Sequence, residues 1–218
     1  MKITVIITTF ERPQYLRQSL KSVLHQTLKP EQIIVVNDYS EADYADVLAE
    51  FKDDISKHIC FETRKGANYS RNQGVLHASS EIVAFLDDDD EWKPNYLEQH
   101  YAVYQSDTAV SAVLCGYQVM GKEKTEINSL SCVDQNALKI GNPFCGMSGV
   151  SCRTSVANVI KFDESLTNGQ DWDFFVRLVI NQHKVVNISK ALFYYRVNTP
   201  NGIGSNTKNI NVKNAEIR

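Results

Sequence analysis

Apolar runs and one-sided apolar patterns alternate along the first half of the chain. Short apolar runs predict buried strands at residues 3–8, 32–36, 57–63 and 81–86. Amphipathic segments predict a helix that begins at Pro13 and further helices over 43–51, 67–78 and 94–104. This strand–helix order predicts an α/β fold with a central, mostly parallel sheet and helices on both faces.

The second half of the chain has a less regular pattern. Strands are predicted at 109–120, 146–152, 185–188 and 192–197, and an amphipathic helix is predicted at 171–180. Residues 121–136 are polar and predict a loop. We expect one domain over 1–197, with a first half at 1–106 and a second half at 107–197. The tail at 198–218 is rich in Asn and poor in core-forming residues, which predicts mobility.

Polar side chains follow three of the predicted strands. Thr8 and Thr9 end the first strand, Asp38 follows the second, and four aspartates at 87–90 follow the run at 81–86. Since the carboxyl ends of parallel strands meet at one sheet edge, where ligands bind in open α/β sheets, we expect these groups to share a crevice.

The four consecutive aspartates point to a cation. Like charges at this spacing repel strongly unless something neutralises them. Mg²⁺ or Mn²⁺ prefers oxygen ligands and often completes its coordination with substrate phosphates. The run therefore predicts a metal-bound diphosphate site. The alternative is a solvated loop in which Asp89 or Asp90 caps the helix near Pro94.

Composition narrows the class of protein. The chain has 218 residues and a formal net charge of −3, which gives no reason to expect nucleic-acid binding. Its five cysteines are scattered without a C-x-x-C pair, which argues against a disulfide framework or a zinc site. No apolar run approaches the length of a membrane helix or signal peptide, so we expect a cytoplasmic protein.

A second acidic candidate lies near residue 170. Asp171 stands where a polar loop enters the predicted helix, beside Trp172 and Asp173. An aspartate at a helix start is commonly a cap, but it could also act as a general base if it reaches a substrate proton. Spacing alone does not choose between Asp171 and Asp173.

Five segments, in order and over residues 3–197, resemble family 2 glycosyltransferases, which are inverting enzymes with the Rossmann-like GT-A fold. They are Val5-Ile6-Ile7-Thr8-Thr9-Phe10-Glu11-Arg12-Pro13, Ile34-Val35-Val36-Asn37-Asp38-Tyr39-Ser40, Ser70-Arg71-Asn72-Gln73-Gly74, Phe85-Leu86-Asp87-Asp88-Asp89-Asp90-Glu91-Trp92-Lys93-Pro94, and Phe162-Asp163-Glu164-Ser165-Leu166 leading into Gln170-Asp171-Trp172-Asp173. The resemblance departs from the commonest pattern at Thr8, Asn37, Tyr39 and Gln170, where Pro, Asp, Gly and Glu are frequent.

The resemblance implies a role for each matching residue. Thr8, Phe10 and Asp38 would line the base pocket of a nucleotide-sugar donor, usually a UDP-sugar, and Arg71 would help hold the nucleotide. Asp87 or Asp88 would lie near the ribose, Asp89 would bind Mn²⁺ or Mg²⁺ in the D-x-D motif, and Asp171 would be the catalytic base.

These implied roles describe a metal-dependent inverting glycosyltransferase. Its acceptor would be a growing glycan or a lipid-linked intermediate, which could bring the protein to the inner face of a membrane. One alternative is a nucleotidyltransferase, but that class would need a Gly-rich phosphate loop where residues 8–11 lie. The other is a nucleotide-sugar-binding protein that has lost the transfer reaction.

Overall fold

The fold is described from a computed structural model covering residues 1–127, 129–140 and 146–199. The strands are β1 Ile3–Thr9, β2 Gln32–Asn37, β3 Lys57–Cys60, β4 Ile82–Asp87, β5 Glu91–Trp92, β6 Val110–Val119, β7 Thr125–Glu126, β8 Cys132–Val133, β9 Val150–Arg153 and β10 Lys184–Tyr195. The helices are α1 Pro13–Leu24, α2 Ala45–Glu50, α3 Ala67–Leu76, α4 Tyr96–Ser106, α5 Gln135–Ile140, α6 Thr154–Ile160 and α7 Gln170–Ile180, with a short 3₁₀ helix at Met147–Gly149.

The described strands form one sheet in the order β3-β2-β1-β4-β9-β6-β10-β5, with β7 beside β6 and β8 beside β10. The β3-β2-β1-β4 half is entirely parallel, as is the β6–β10 pair. Strand β9 runs antiparallel between β4 and β6 and joins the two halves into one surface. The predicted α/β class, with a mostly parallel central sheet flanked by helices, is therefore confirmed.

The sheet separates two hydrophobic clusters because successive side chains of a strand point to opposite faces. On one face, Val5 of β1 belongs to a cluster with Leu16 and Leu20 of α1. On the other face, Ile6 of β1 belongs to a cluster with Val75 of α3 and Phe174 of α7. These two layers fix the positions of the helices that carry functional side chains.

Helix α3 lies close against β1 because it carries a glycine at the contact. A Cβ atom built on Gly74 would stand 2.3 Å from Cγ2 of Ile6, whose side chain is fully buried. Three residues earlier on the same helix is Arg71, so this close approach also sets how far Arg71 reaches toward the sheet edge.

Several elements differ from the sequence prediction. Strand β5 and helix α6 were not predicted, and the strand predicted at 57–63 ends at Cys60. The predicted strands at 185–188 and 192–197 are one continuous strand, β10, whose register with β6 shifts between Ile188 and Phe193. The polar segment 121–136 contains β7, β8 and the start of α5.

The predicted mobile tail lies outside the described residues beyond Thr199. Within the described ranges, none of the helices combines the length and apolar character that a bilayer crossing requires.

Candidate functional site

The predicted crevice lies where β1 and β4 end side by side. Their parallel register pairs Thr8 with Asp87, and the Thr8 hydroxyl donates a hydrogen bond to Asp87 Oδ1 at 3.2 Å. Asp38 follows β2, the neighbouring strand on the other side of β1. Sheet topology therefore brings the first strand end, the second strand end and the acidic run to one edge.

The four aspartates alternate between two environments. Asp88 and Asp90 are buried, whereas Asp87 and Asp89 are partly exposed. Asp88 and Asp89 lie in a turn closed by the Asp90 N–H, which donates to the Asp87 carbonyl at 3.1 Å, and the run divides into an inner pair and an outer pair. The outer pair, Asp87 and Asp89, faces the crevice.

Asp88 is neutralised inside the protein by Arg12. Arg12 Nη2 lies 2.5 Å from Asp88 Oδ1, and Arg12 Nε donates to Asp88 Oδ2 at 3.3 Å. The Thr9 hydroxyl donates to the same Oδ2 at 2.6 Å. Burial raises the pKa of Asp88 to about 7 against the opposing effect of the Arg12 charge. The structure thus places this predicted nucleotide-binding residue beneath the crevice.

Asp90, the other inner aspartate, anchors the chain that follows β10. Its Oδ1 accepts a hydrogen bond from the backbone N–H of Arg196 at 2.9 Å. Burial, and next the charge of Asp89, hold the pKa of Asp90 well above its usual range. The inner pair therefore has structural partners on both sides, Arg12 from the first loop and Arg196 from the end of the sheet.

Asp89 is held through one of its two carboxylate oxygens. Oδ2 accepts hydrogen bonds from Arg12 Nη1 at 2.8 Å and from the Thr199 hydroxyl at 2.7 Å. Its main-chain oxygen also accepts from Arg196 Nε at 3.0 Å. No donor among the described residues reaches Oδ1, which leaves that oxygen open to a ligand.

The available oxygen ligands suit a metal ion that is bound partly by substrate better than one that is bound by protein side chains alone. Among the described residues, no group of three or more His, Cys, Asp or Glu side chains is placed to hold a metal ion. Mg²⁺-type ions commonly bind one or two carboxylates and take their other ligands from substrate phosphates and water. Asp89, with its open Oδ1, suits that second arrangement.

Arg71 connects the acidic run to the second half of the chain. Its Nη2 donates to Asp87 Oδ1 at 2.8 Å, and its Nη1 lies 3.7 Å from Asp171 Oδ1. The side chain is 5% exposed, and neither Nε nor Nη1 has a hydrogen-bond partner in the described part of the chain. Buried donors are normally satisfied, so these two indicate a place for acceptor atoms of a ligand or ordered water.

The first turn of α7 separates the two aspartates that the sequence could not rank. Asp173 forms an ion pair with Arg177 at 2.5 Å, one helical turn further on. Asp171 instead faces Arg71, and its side chain is 35% exposed. Burial is the main influence that raises the pKa of Asp171; Arg71 opposes it and Asp87 adds to it.

Phe10 and Asp38, predicted to line a base pocket, lie in the loops after β1 and β2, next to the turn before α3. Asp38 accepts backbone hydrogen bonds from Lys65 at 2.7 Å and Gly66 at 2.8 Å, and thereby fixes the turn that precedes α3. That turn carries Arg64, whose guanidinium carbon lies 4.0 Å above the centre of the Phe10 ring. Phe10 and Asp38 therefore border one surface, joined by Arg64.

Arg12 and Arg64 contact the predicted site residues, and neither was itself predicted as a site residue. Arg12 follows the end of β1, at the same sheet edge as the aspartates. This position in the sequence could have indicated that it contacts them. Its partners Asp88 and Asp89 lie 76 and 77 residues away. The contact of Arg64 with Phe10 could not be predicted in this way, because it depends on the turn that Asp38 holds.

Comparison with protein families gives one match over most of the chain. Residues 4–161 match the model of the family described as glycosyl transferase family 2. The match includes the acidic run, Arg71 and Asp38, and it ends before α7.

Related sequences carry glycosyltransferase names. An uncharacterized glycosyltransferase of Nostoc is 34% identical over 127 residues, which are 57% of this chain and 39% of that protein. The GalNAc(5)-diNAcBac-PP-undecaprenol beta-1,3-glucosyltransferase of Campylobacter jejuni is 40% identical over 93 residues, which are 41% of this chain and 30% of that protein. The matched regions thus span less than half of these relatives.

Solved structures share the fold at low sequence identity. S. aureus TarS 1–349, in complex with UDP-GlcNAc, has a TM-score of 0.80 at 22% identity, over 94% of this chain and 61% of TarS. The Pyrobaculum calidifontis mannosyltransferase PcManGT, in complex with GDP-Man and Mn²⁺, has a TM-score of 0.69 at 17% identity, over 94% and 59% of the two chains. These similarities support the GT-A assignment.

Proposed function

The chain belongs to glycosyl transferase family 2, and from this premise we propose that it transfers a sugar from a nucleoside-diphosphate sugar, with inversion at the anomeric carbon. One observation carries the proposal. Buried Arg71 contacts Asp87 at the end of β4 and lies near Asp171 at the start of α7, and within the described residues its Nε and Nη1 have no hydrogen-bond partner. The Arg71 guanidinium thus lies beside the carboxylates of Asp87 and Asp171. An anionic sugar donor and an acceptor hydroxyl could meet at this place.

We assign the donor to the first half of the chain. Phe10, over whose ring Arg64 lies, and Asp38 would border the base, and Thr8 and Asp87 lie at the adjoining strand ends. Asp87 is the better candidate for the ribose than Asp88, because Asp88 is fully buried. The donor is proposed to be a UDP-sugar, in line with the UDP-GlcNAc that TarS binds.

The divalent cation, Mn²⁺ or Mg²⁺, is assigned to Asp89. PcManGT binds Mn²⁺ together with its nucleotide sugar. When bound, such an ion acts as a Lewis acid that stabilises the charge developing on the leaving diphosphate. Asp89 would contribute its open carboxylate oxygen, and Arg71 would supply further positive charge to the donor.

Asp171 is assigned as the general base. The acceptor hydroxyl gives its proton to the Asp171 carboxylate as its oxygen forms a bond to the anomeric carbon. The bond from that carbon to the diphosphate oxygen breaks, and the diphosphate leaves with the electron pair. Burial raises the pKa of Asp171, which makes its carboxylate a stronger base than an exposed aspartate.

The acceptor is proposed to be a glycan or a lipid-linked intermediate. The Campylobacter relative is named for an undecaprenol-linked acceptor. A substrate of that kind would bring the chain to the cytoplasmic face of a membrane as a peripheral protein.

Isothermal titration calorimetry tests the donor site. UDP, GDP and dTDP are titrated in MnCl₂ and in EDTA, against the wild type, Asp89→Asn and the control Asp173→Asn. We expect UDP to bind at least about 10-fold more tightly with Mn²⁺, which is the weaker end of what one charge-assisted contact contributes. The manganese effect should disappear in Asp89→Asn and persist in Asp173→Asn.

Two outcomes would contradict the proposal. Absence of binding for every nucleotide would refute a donor site, and manganese-independent binding would refute the role of Asp89. If UDP does bind, a further assay is hydrolysis of UDP-sugars by the wild type. Hydrolysis would distinguish an enzyme from a protein that only binds nucleotide sugars.

A further inference from the structure

Arg12 occupies an unusual position for an arginine near a cation site. Its side chain is 12% exposed, and its guanidinium contacts two neighbouring carboxylates at once. Nη2 and Nε face Asp88, and Nη1 faces Asp89. A planar fork of five N–H donors suits this double contact, whereas a lysine ammonium would not reproduce it.

Both donors to the Asp89 carboxylate reach the same oxygen. Arg12 Nη1 and the Thr199 hydroxyl bind Oδ2 at 2.8 and 2.7 Å, so the rotation of the carboxylate is fixed from two directions. With Oδ2 held in this way, Oδ1 is the oxygen left for a cation. Fixing the oxygen in advance reduces the ordering that cation binding would otherwise require.

We propose that Arg12 is a positioning residue, which holds Asp89 by Oδ2 and so would leave Oδ1 open to a divalent cation. This inference rests on the proposed function of Asp89. Hydrogen bonds to a metal-ligating carboxylate orient it, and their removal typically lowers metal affinity or activity about 10- to 100-fold. Thr199 serves the same carboxylate from the chain that follows β10.

The experiment measures the manganese gain, defined as the ratio of the UDP Kd in EDTA to the UDP Kd in MnCl₂. Arg12→Met alone would leave Asp88 buried without its cation, which is strongly destabilising. We therefore use the double variant Arg12→Met, Asp88→Asn, which removes both charges of the buried pair. Thr199→Val is a second variant, at the other donor to Asp89 Oδ2, whose hydroxyl also lies 3.5 Å from Arg12 Nη1. Arg17→Met, which loses a surface ion pair with Glu50, is the matched control.

We expect the double variant to lose about 10- to 100-fold of the manganese gain, with a UDP Kd in EDTA close to that of the wild type. The manganese gain should fall less in Thr199→Val than in the double variant, and it should not fall in Arg17→Met. If the double variant does not fold, Thr199→Val carries the test by itself.

Three results would overturn the positioning role. An unchanged manganese gain in both variants would show that Asp89 needs neither partner. A larger gain would show that Arg12 competes with the cation. An equal loss of affinity in EDTA and in MnCl₂ would indicate a general structural role. If the wild type shows no manganese gain at all, the proposed function of Asp89 fails first and this inference falls with it.

Discussion

Asp171 and Asp173 lie two residues apart in α7, but their surroundings predict different consequences of substitution. Asp171→Asn removes the proposed base, which commonly contributes about 10²- to 10⁴-fold to a rate, so turnover should fall by that factor. Asp173→Asn removes only an i,i+4 ion pair with Arg177, which is worth about 0.3–0.5 kcal/mol. Steady-state transfer assays and urea unfolding of both variants test this difference.

One outcome would contradict the assignment of Asp171 as the base. Comparable turnover losses in the two variants, or a greater loss in Asp173→Asn, would transfer the role of base to Asp173.

Arg71 should control the pH dependence of transfer through Asp171. Its charge lowers the pKa of Asp171, against the burial that raises it. Since the base must be ionised, kcat/KM falls as pH drops through that pKa. Arg71→Met removes the lowering influence, so the acidic limb of the kcat/KM profile should move to higher pH.

The measurement is the pH at which the acidic limb of the kcat/KM profile lies. The absolute rate is not used, because Arg71 is also proposed to bind the donor and its loss would lower the rate for that reason. Arg177→Met provides the control, since Arg177 pairs with Asp173. A limb that stays in place or moves to lower pH would separate Arg71 from the titrating group.

At the residue scale, the sequence predicted which side chains would meet at the sheet edge but did not reveal their charge pairs. Asp87 and Thr8 could be placed together because parallel strands end at one edge. The pairing of Asp88 with Arg12 spans 76 residues and depends on which aspartates turn inward. No spacing rule gives that alternation in a turn after a strand, so Asp88 could not be distinguished from Asp87.

At the scale of elements, the long apolar runs were predictable and the short or mixed ones were not. Strands β1, β2 and β4 are buried apolar runs with strong β-propensity. Strand β5 has two residues, too few for a pattern, and exists through its pairing with β10. Helix α6 was missed because three of its seven residues, in Thr-Ser-Val-Ala-Asn-Val-Ile, are valine or isoleucine, which favour strands.

The close packing of α3 on β1 yields an element-scale prediction. In Gly74→Ala the new methyl group would meet Ile6 Cγ2, so we expect a loss of about 1–3 kcal/mol in the free energy of unfolding. UDP binding should weaken as well, because α3 carries Arg71. Urea unfolding measures the first effect and calorimetry the second.

Leu76→Ala on the same helix is the control, since Leu76 is 66% exposed and should change stability by less than about 0.5 kcal/mol. If Gly74→Ala were instead stabilising, by the roughly 1 kcal/mol that alanine gains over glycine in helices, Ile6 would have room to move.

At the scale of the whole molecule, a buried histidine links stability to pH. His100 of α4 lies in the interior between Tyr96, whose ring stacks on it at 4.1 Å, and Ser151 of β9, whose hydroxyl lies 2.8 Å from Nδ1. Burial lowers the pKa of His100 to about 3. It thus stays neutral in the folded protein when the unfolded chain, with a pKa of about 6.5, takes up a proton.

Stability should therefore fall as pH falls below about 6.5, by about 2 kcal/mol between pH 7 and pH 5 from this residue alone. His100→Asn cannot titrate and should lose correspondingly less stability over that interval. Urea unfolding at the two pH values measures the difference, with exposed His25→Asn as the control. Equal acid sensitivity in wild type and His100→Asn would contradict the assignment.

Strand β10 has a consequence for biosynthesis. It pairs with β6 and β5, and the residue that follows it, Arg196, donates to Asp90. A ribosome delivers residues in order, so the acidic run emerges long before the strand that completes its surroundings. Until then β6 is an unpaired edge, which readily recruits other chains. Chains whose synthesis stops before residue 184 should consequently be prone to aggregate and should lack the contact between Arg196 and Asp90.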